Sequence, residues 1–212
     1  MGGSELVHII DDDDALRDSL SFLLSSVGIK TKSYETATGY SNDPERGACG
    51  CILTDVRMPG MSGIDLLRKL KSDGITVPVI VMTGHGDVPL AVEAMKLGAL
   101  DFVEKPFNDD ALIASVRSAL GEAKRHSVHE EERKEIDARL AQLTARERQV
   151  LDGLVAGQPN KVIAHELGIS PRTVEIYRAN VMTKMQANSL SELVRMALVT
   201  GALRSACPAQ TQ

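Results

Sequence analysis

Five short runs of strand-forming residues, spaced through the first 121 residues, each lead into a stretch with helical or turn character. That alternation restricts the front of the chain to one kind of architecture, a parallel sheet with helices packed on both faces. Leu6-Val7-His8-Ile9-Ile10 is the first run, and Asp11, Asp12, Asp13 and Asp14 follow it directly. Leu16, Leu20, Leu23, Leu24 and Val27 then recur at helical spacing until Gly28 stops the helix. Lys30 to Tyr34 is a weaker strand, and residues 35–48 are the poorest code, with Gly39 and Pro44 interrupting any helix. Cys51-Ile52-Leu53 starts a buried strand that stops at Thr54-Asp55, where Met58-Pro59-Gly60 forces a turn. Ile64, Leu67 and Leu70 mark the next helix. Val77 to Met82 is a strand ending at Thr83-Gly84, and Val88, Ala91, Val92 and Met95 mark the helix after it. Asp101 to Glu104 is the fifth strand, followed by Lys105-Pro106 and a helix through Leu112, Val116, Ala119 and Leu120.

The chemistry sits where the strands stop. Asp11-Asp12, Asp55, Thr83 and Lys105-Pro106 follow the first, third, fourth and fifth strands. In a doubly wound sheet those carboxyl ends converge on one crevice. Each residue alone has an ordinary reading as a turn former, a helix cap or a surface charge. Together they make a phosphoryl-transfer site. Crowded carboxylates need a cation, and a hard oxygen site with few protein ligands suits Mg²⁺. Asp55 is a nucleophile toward phosphorus, Lys105 a point charge for phosphoryl oxygens, and Thr83 a hydroxyl donor. A cis Lys105–Pro106 bond would aim the lysine inward. Asp13 and Asp14 belong to the helix start, where the dipole favours acids.

These residues resemble the receiver domain of two-component response regulators, over roughly residues 5–121. The resemblance lies in the acidic pair Asp11-Asp12, the loop DVRMPGMSG, the motif MTGHGD and the motif DFVEKPF. The run from Met82 to Phe107 is similar to FixJ-type regulators of the NarL/FixJ/LuxR family. The resemblance implies a flavodoxin-like fold with Asp55 as phosphoacceptor and Thr83 and Phe102 as the switch pair. It implies Mg²⁺ held by Asp11, Asp12, Asp55 and the backbone carbonyl of Arg57. It also implies dimers formed through the face near Leu90, Val92, Lys96 and Phe102, a sensor histidine kinase as phosphodonor, and control of microaerobic or nitrogen-fixation genes.

Behind the sheet the code changes. Residues 122–140 lose their apolar stripe and read as a solvated helical linker, with Glu130–Lys134 and Glu135–Arg139 in the favourable i,i+4 order. Ile136, Leu140 and Leu143 offer a narrow seam for a dimeric coiled coil. Residues 141–212 form a compact all-helical domain. It opens with a capping box, Thr144 and Glu147, and its third helix begins with Ser170 as cap and Pro171 in the first position. Helices joined through Leu167-Gly168-Ile169-Ser170 fit a helix-turn-helix. Its second helix turns Val174, Tyr177, Val181 and Met185 to a core. Arg172, Thr173, Glu175, Ile176, Arg178 and Ala179 face the other way, with Lys184 placed for phosphate. LTARERQVL and NKVIAHELGISPRTVEIYRANVMTKM resemble the four-helix LuxR-type DNA-binding domain, over about residues 141–203. That implies promoter double-stranded DNA and RNA polymerase as partners and a fourth helix, Ser191 to Val199, that dimerises. Gln158-Pro159-Asn160 departs from the pattern, because proline offers no capping side chain; Pro159 fits a first-turn position instead.

Bulk properties agree with a regulator that acts inside the cell. Residues 1–121 carry 11 Lys/Arg and 18 Asp/Glu, whereas residues 141–212 carry 8 and 5. An acidic front and a basic back suggest different partners, the back one a polyanion. No apolar run reaches the length of a membrane span, and Met1 to Ser4 have no secretory pattern, so a cytoplasmic location is expected. Cys49, Cys51 and Cys207 lack a CxxC spacing and read as free thiols. Two competing readings remain. Asp11 and Asp13 also spell the DxD of haloacid-dehalogenase-like phosphatases, which would leave Asp55 and the back domain idle. A receiver whose back domain binds only protein is the other.

Overall fold

The computed structural model describes residues 6–44, 46–47, 50–84 and 88–200. Cys49, Cys207 and the His85–Asp87 part of the MTGHGD motif lie outside the described residues. The chain divides into two compact units, Met1–Ser127 and Val128–Gln212. Among the described residues no helix is long and apolar enough to cross a membrane.

The first unit is a five-stranded parallel sheet. Its strands are β1 (Leu6–Ile10), β2 (Lys30–Tyr34), β3 (Gly50–Asp55), β4 (Val79–Thr83) and β5 (Asp101–Glu104). They lie in the order β2-β1-β3-β4-β5, the doubly wound order expected of the alternation. Helices α1 (Asp14–Ser26), α2 (Ala37–Ser41), α3 (Gly63–Ser72), α4 (Val88–Leu97) and α5 (Asp109–Leu140) connect and cover it. Strand periodicity sorts the core into two layers. Val7, Ile9, Cys51, Leu53, Ile80 and Met82 pack against α1 and α5. Ile10, Ile52, Val79 and Val81 pack against α2, α3 and α4.

One local outcome differs from expectation. A short helix, α2, forms within 35–48 despite Gly39. The Thr36 hydroxyl accepts from the Gly39 N–H at its start, and Tyr40 on it is fully buried. Tyr40 and Tyr34 pack edge-on against each other and around His8, whose Nδ1 lies 3.2 Å from the Tyr34 hydroxyl. That aromatic cluster anchors the weakest strand. Cys51 is a free thiol, as expected; burial pushes it up to about 12, so it sits in the sheet as a small hydrophobe.

The second unit is helical. It contains α6 (Ala145–Val155), α7 (Asn160–Leu167), α8 (Pro171–Met185) and α9 (Leu190–Val199). Their apolar stripes meet in one core built on Val150, Leu151, Ile163, Val174, Val181, Met185 and Leu193. Ile136 and Leu140, from the end of α5, are 3% and 7% exposed in that same core. They are therefore not free to make a coiled-coil seam, and the second unit begins inside the stretch expected to be linker. The reason is simple: two apolar residues one turn apart gain more by joining an existing core than by facing water.

Candidate functional site

The carboxyl ends of β1, β3 and β5 bring Asp11, Asp55 and Lys105 together. Lys105 Nζ lies 2.9 Å from Asp11 Oδ2 and 2.5 Å from Asp55 Oδ1. Asp11 is 1% exposed and Asp55 8%. The Asp55 Oδ2 also accepts the Arg57 N–H at 2.6 Å. Burial raises the Asp55 pKa above the ordinary carboxylate value, against the pull of Lys105 and the Arg57 N–H. Burial works against the Lys105 charge as well, but hydrogen bonds to Asp11 and Asp55 outweigh it and raise its pKa. The Lys105–Pro106 peptide is cis, as expected.

Of the three carboxylates expected to converge, the structure joins two. Asp12 is exposed, and among the described residues no group of three or more His, Cys, Asp or Glu is placed to hold a metal ion by itself. Asp11, directly after β1, is buried at the rim of the sheet, whereas Asp12 lies on the exposed stretch that leads to the N-cap of α1. Asp13 and Asp14 fall where expected, Asp13 as the N-cap of α1 and Asp14 in its first turn. The donors present fit a hard cation nonetheless: two nearly buried carboxylates side by side, with Asp12 and the Arg57 carbonyl on the adjoining loops.

Thr83 ends β4 and is 3% exposed, and its carbonyl accepts the Lys105 N–H at 2.7 Å. It opens onto a cavity of about 390 Å³ that Ala91, Val92, Met95, Lys96, Phe102 and Glu104 complete. Phe102 is 48% exposed on its rim. Of the residues expected on a dimer face, Val92, Lys96 and Phe102 are exposed. Leu90 is set apart: it packs against the core beside α3, at a pocket with Met58, Ile64 and Arg68.

In the second unit α8 presents the expected face. Arg172, Glu175, Ile176 and Ala179 are exposed, Thr173 and Arg178 half-buried. Ile176 is 56% exposed, a large apolar residue with no core to serve. Ser170 caps the helix through the Thr173 N–H, and Pro171 takes its first turn. Pro159 stands at the N-cap of α7 rather than in its first turn. It makes no side-chain cap, and its carbonyl accepts from Val162 at 2.8 Å.

Lys184 is placed differently from the expectation that it meets phosphate. Its ammonium binds Glu147 Oε2 at 2.7 Å and the Gln142 carbonyl at 3.3 Å. Glu147 is 3% exposed and also takes the Thr144 N–H and hydroxyl, so the expected capping box is joined to α8. Its carboxyl is held down to about 2, first by Lys184 and then by Thr144. A depressed carboxylate stabilises the fold fully above its ordinary value of 4.5, and that contribution is lost as pH falls from there toward 2. Wild type is therefore expected to exceed Glu147→Gln in resistance to urea at pH 7, with the gap narrowing by pH 3. An equal gap at both pH values would refute the assignment.

Two further partners of the acidic site escape a reading by motif. The Asp11 carbonyl accepts from the Arg17 guanidinium, and the Asp11 N–H donates to the Tyr34 carbonyl at 3.2 Å. The only sequence signal for the first is a cation close to a helix start, where an acid is favoured.

Both units match known protein families. Residues 7–117 match the response regulator receiver domain family, and residues 141–197 match the bacterial regulatory proteins of the luxR family. The transcriptional regulatory protein FixJ of Azorhizobium caulinodans is 60% identical over 195 residues, covering 92% of each chain. FixJ of Bradyrhizobium diazoefficiens is 55% identical, covering 93% of this chain and 96% of its own. Among solved structures, the response regulator StyR superimposes with a TM-score of 0.81 at 36% identity, covering 92% of this chain and 98% of its own. Full-length FixJ from B. japonicum gives 0.57 at 54% identity, covering 96% and 99%. Neither the DxD reading nor a protein-only back domain accounts for two family matches in this order. The chain belongs to the FixJ-type two-component response regulators, and it is a phosphorylation-dependent transcription regulator rather than a classical enzyme.

Proposed function

We propose that a sensor histidine kinase passes its phosphoryl group to Asp55. The observation that carries this is the Lys105 ammonium held between the Asp11 and Asp55 carboxylates at the strand ends. An Asp55 oxygen attacks phosphorus, the bond from phosphorus to the kinase imidazole nitrogen breaks, and an aspartyl phosphate forms. Lys105 and the Thr83 hydroxyl take the phosphoryl oxygens. Asp11, Asp12, Asp55 and the Arg57 carbonyl would hold Mg²⁺, which supplies charge neutralisation. The same groups then assist hydrolysis of the phosphoaspartate, so the signal decays.

Thr83 moving toward the phosphoryl group opens space for Phe102 in the adjoining cavity. That rearranges the face of Val92, Lys96 and Phe102, through which two copies dimerise. Leu90 stays half-buried beside α3. The units work as a receiver ending near residue 121, an exposed helical connection, and a DNA-binding unit that reaches back to Ile136. Arg172, Thr173, Glu175, Ile176, Arg178 and Ala179 read the major groove of promoter DNA, while Lys184 secures α8 to Glu147. The protein acts in the cytoplasm with RNA polymerase, on microaerobic or nitrogen-fixation genes, a reading supported by its likeness to the FixJ regulators.

The test is binding of the full-length protein to a promoter duplex, with and without acetyl phosphate and Mg²⁺. The phosphodonor is expected to tighten binding, with affinity that falls as salt rises. Arg178→Ala is expected to weaken it by about tenfold, or about 1.4 kcal/mol. Binding that ignores both the phosphodonor and salt would refute the proposal.

A further inference from the structure

Asp11 is tied at four points. Its Oδ2 takes Lys105 and its Oδ1 takes the Asp13 N–H at 2.9 Å. Its N–H reaches the Tyr34 carbonyl, and its own carbonyl takes the Arg17 guanidinium at 2.5 Å. The first two bonds use the carboxylate, the group that phosphoryl transfer would call on. The last two hold only main chain, so they survive whatever the carboxylate does next.

Arg17 is an odd residue for its place. It lies just inside the N-terminal end of α1, where the helix dipole disfavours a cation. Its side chain is nonetheless 12% exposed, folded back over the loop it follows. One arm of the guanidinium holds the Asp11 carbonyl and the other pairs with Asp14, which is 86% exposed. A planar fork can meet a carbonyl and a carboxylate at once, and a lysine ammonium does so poorly. Helix stability does not explain a charge set against the dipole. Fixing the Asp11 main chain does.

We infer that Arg17 is a positioning residue for cation-dependent phosphorylation. It keeps Asp11 aimed into the crevice when Lys105 leaves the carboxylates for the incoming phosphoryl oxygens. This rests on the phosphoacceptor reading of Asp55 and extends it to a residue outside the crevice. Groups that orient a ligand from behind commonly change metal affinity by about 10–100-fold when removed.

The test titrates full-length wild type, Arg17→Ala and Arg17→Lys with Mg²⁺, following backbone amide shifts of Asp11 to Asp13. It is paired with initial rates of phosphorylation by acetyl phosphate across the same Mg²⁺ range. Arg17→Ala is expected to raise the half-saturating Mg²⁺ concentration by about tenfold in both readouts. Its rate at saturating Mg²⁺ stays within about threefold of wild type, because no group on phosphorus is lost. Arg17→Lys, which keeps the charge and one contact, should fall between, and it carries the test if the alanine variant folds poorly. Unchanged half-saturation, or a rate loss that saturating Mg²⁺ does not repair, overturns the inference. The amide titration needs no phosphoryl transfer. A failure of the Asp55 reading, seen as undiminished uptake by Asp55→Asn, is thus separable from a failure here.

Discussion

Asp55→Asn is expected to abolish stable phosphoryl uptake, by about a thousandfold or more. An amide oxygen is too weak a nucleophile to form an acyl phosphate. The variant should still fold, because Lys105 keeps its bond to Asp11 at 2.9 Å and the amide oxygen still accepts from the Arg57 N–H. Intact mass after incubation with acetyl phosphate and Mg²⁺ reads the loss directly. Light scattering on the same samples reads its consequence. Wild type should shift from monomer to dimer with the phosphodonor, and Asp55→Asn should not. Full phosphorylation of the variant would move the acceptor elsewhere, with Asp11 the first place to look.

Gly63→Ala is expected to cost the receiver heavily in stability. A Cβ there would stand 2.2 Å from the Asp55 carbonyl oxygen and 3.1 Å from its carbonyl carbon. These are backbone atoms, so no rotamer change relieves the clash. Gly63 also donates its N–H to the Val56 carbonyl at 3.1 Å, which pins α3 against the exit of β3. Either that bond or the strand end must move, at about 3 kcal/mol. Because the strand end carries Asp55, phosphoryl uptake should fall with stability. Gly121→Ala is the control. It sits in α5 with nothing within 4 Å of the added carbon, and it should be neutral or stabilising by up to about 1 kcal/mol. Urea denaturation of the three proteins decides it, and a Gly63→Ala midpoint equal to wild type would show that the loop gives way freely.

The receiver site was legible because each of its residues follows a strand that codes strongly for itself. Ile10, Leu53 and Met82 are fully buried, and the polar residue after each apolar run had to lie at the sheet's rim. Short-range signals were legible for the same local reason. Thr144 with Glu147, Ser170 with Pro171, and Asp13 each act within one helical turn. That Asp11 is buried beside Lys105 while Asp12 is exposed could not be read from the sequence, because adjacent residues read alike and only the course of the chain after β1 separates them. Lys184 was misplaced because its partner Glu147 is 37 residues away. Arg17 carries a weak local signal that acquires meaning only beside the Asp11 carbonyl.

Alternation of short apolar runs with helical stretches was enough to determine a doubly wound sheet followed by a helical unit. It was also enough to place a carboxylate, a hydroxyl and a lysine at one rim of that sheet. Those properties depend on periodicity and on residues close in the chain, where spacing alone sets which face is buried. Tertiary structure alone decided which carboxylates meet Lys105, where the core of the second unit begins, and which cations are committed to a partner. Such choices are made between groups far apart in sequence, and they turn on the burial and geometry that packing imposes.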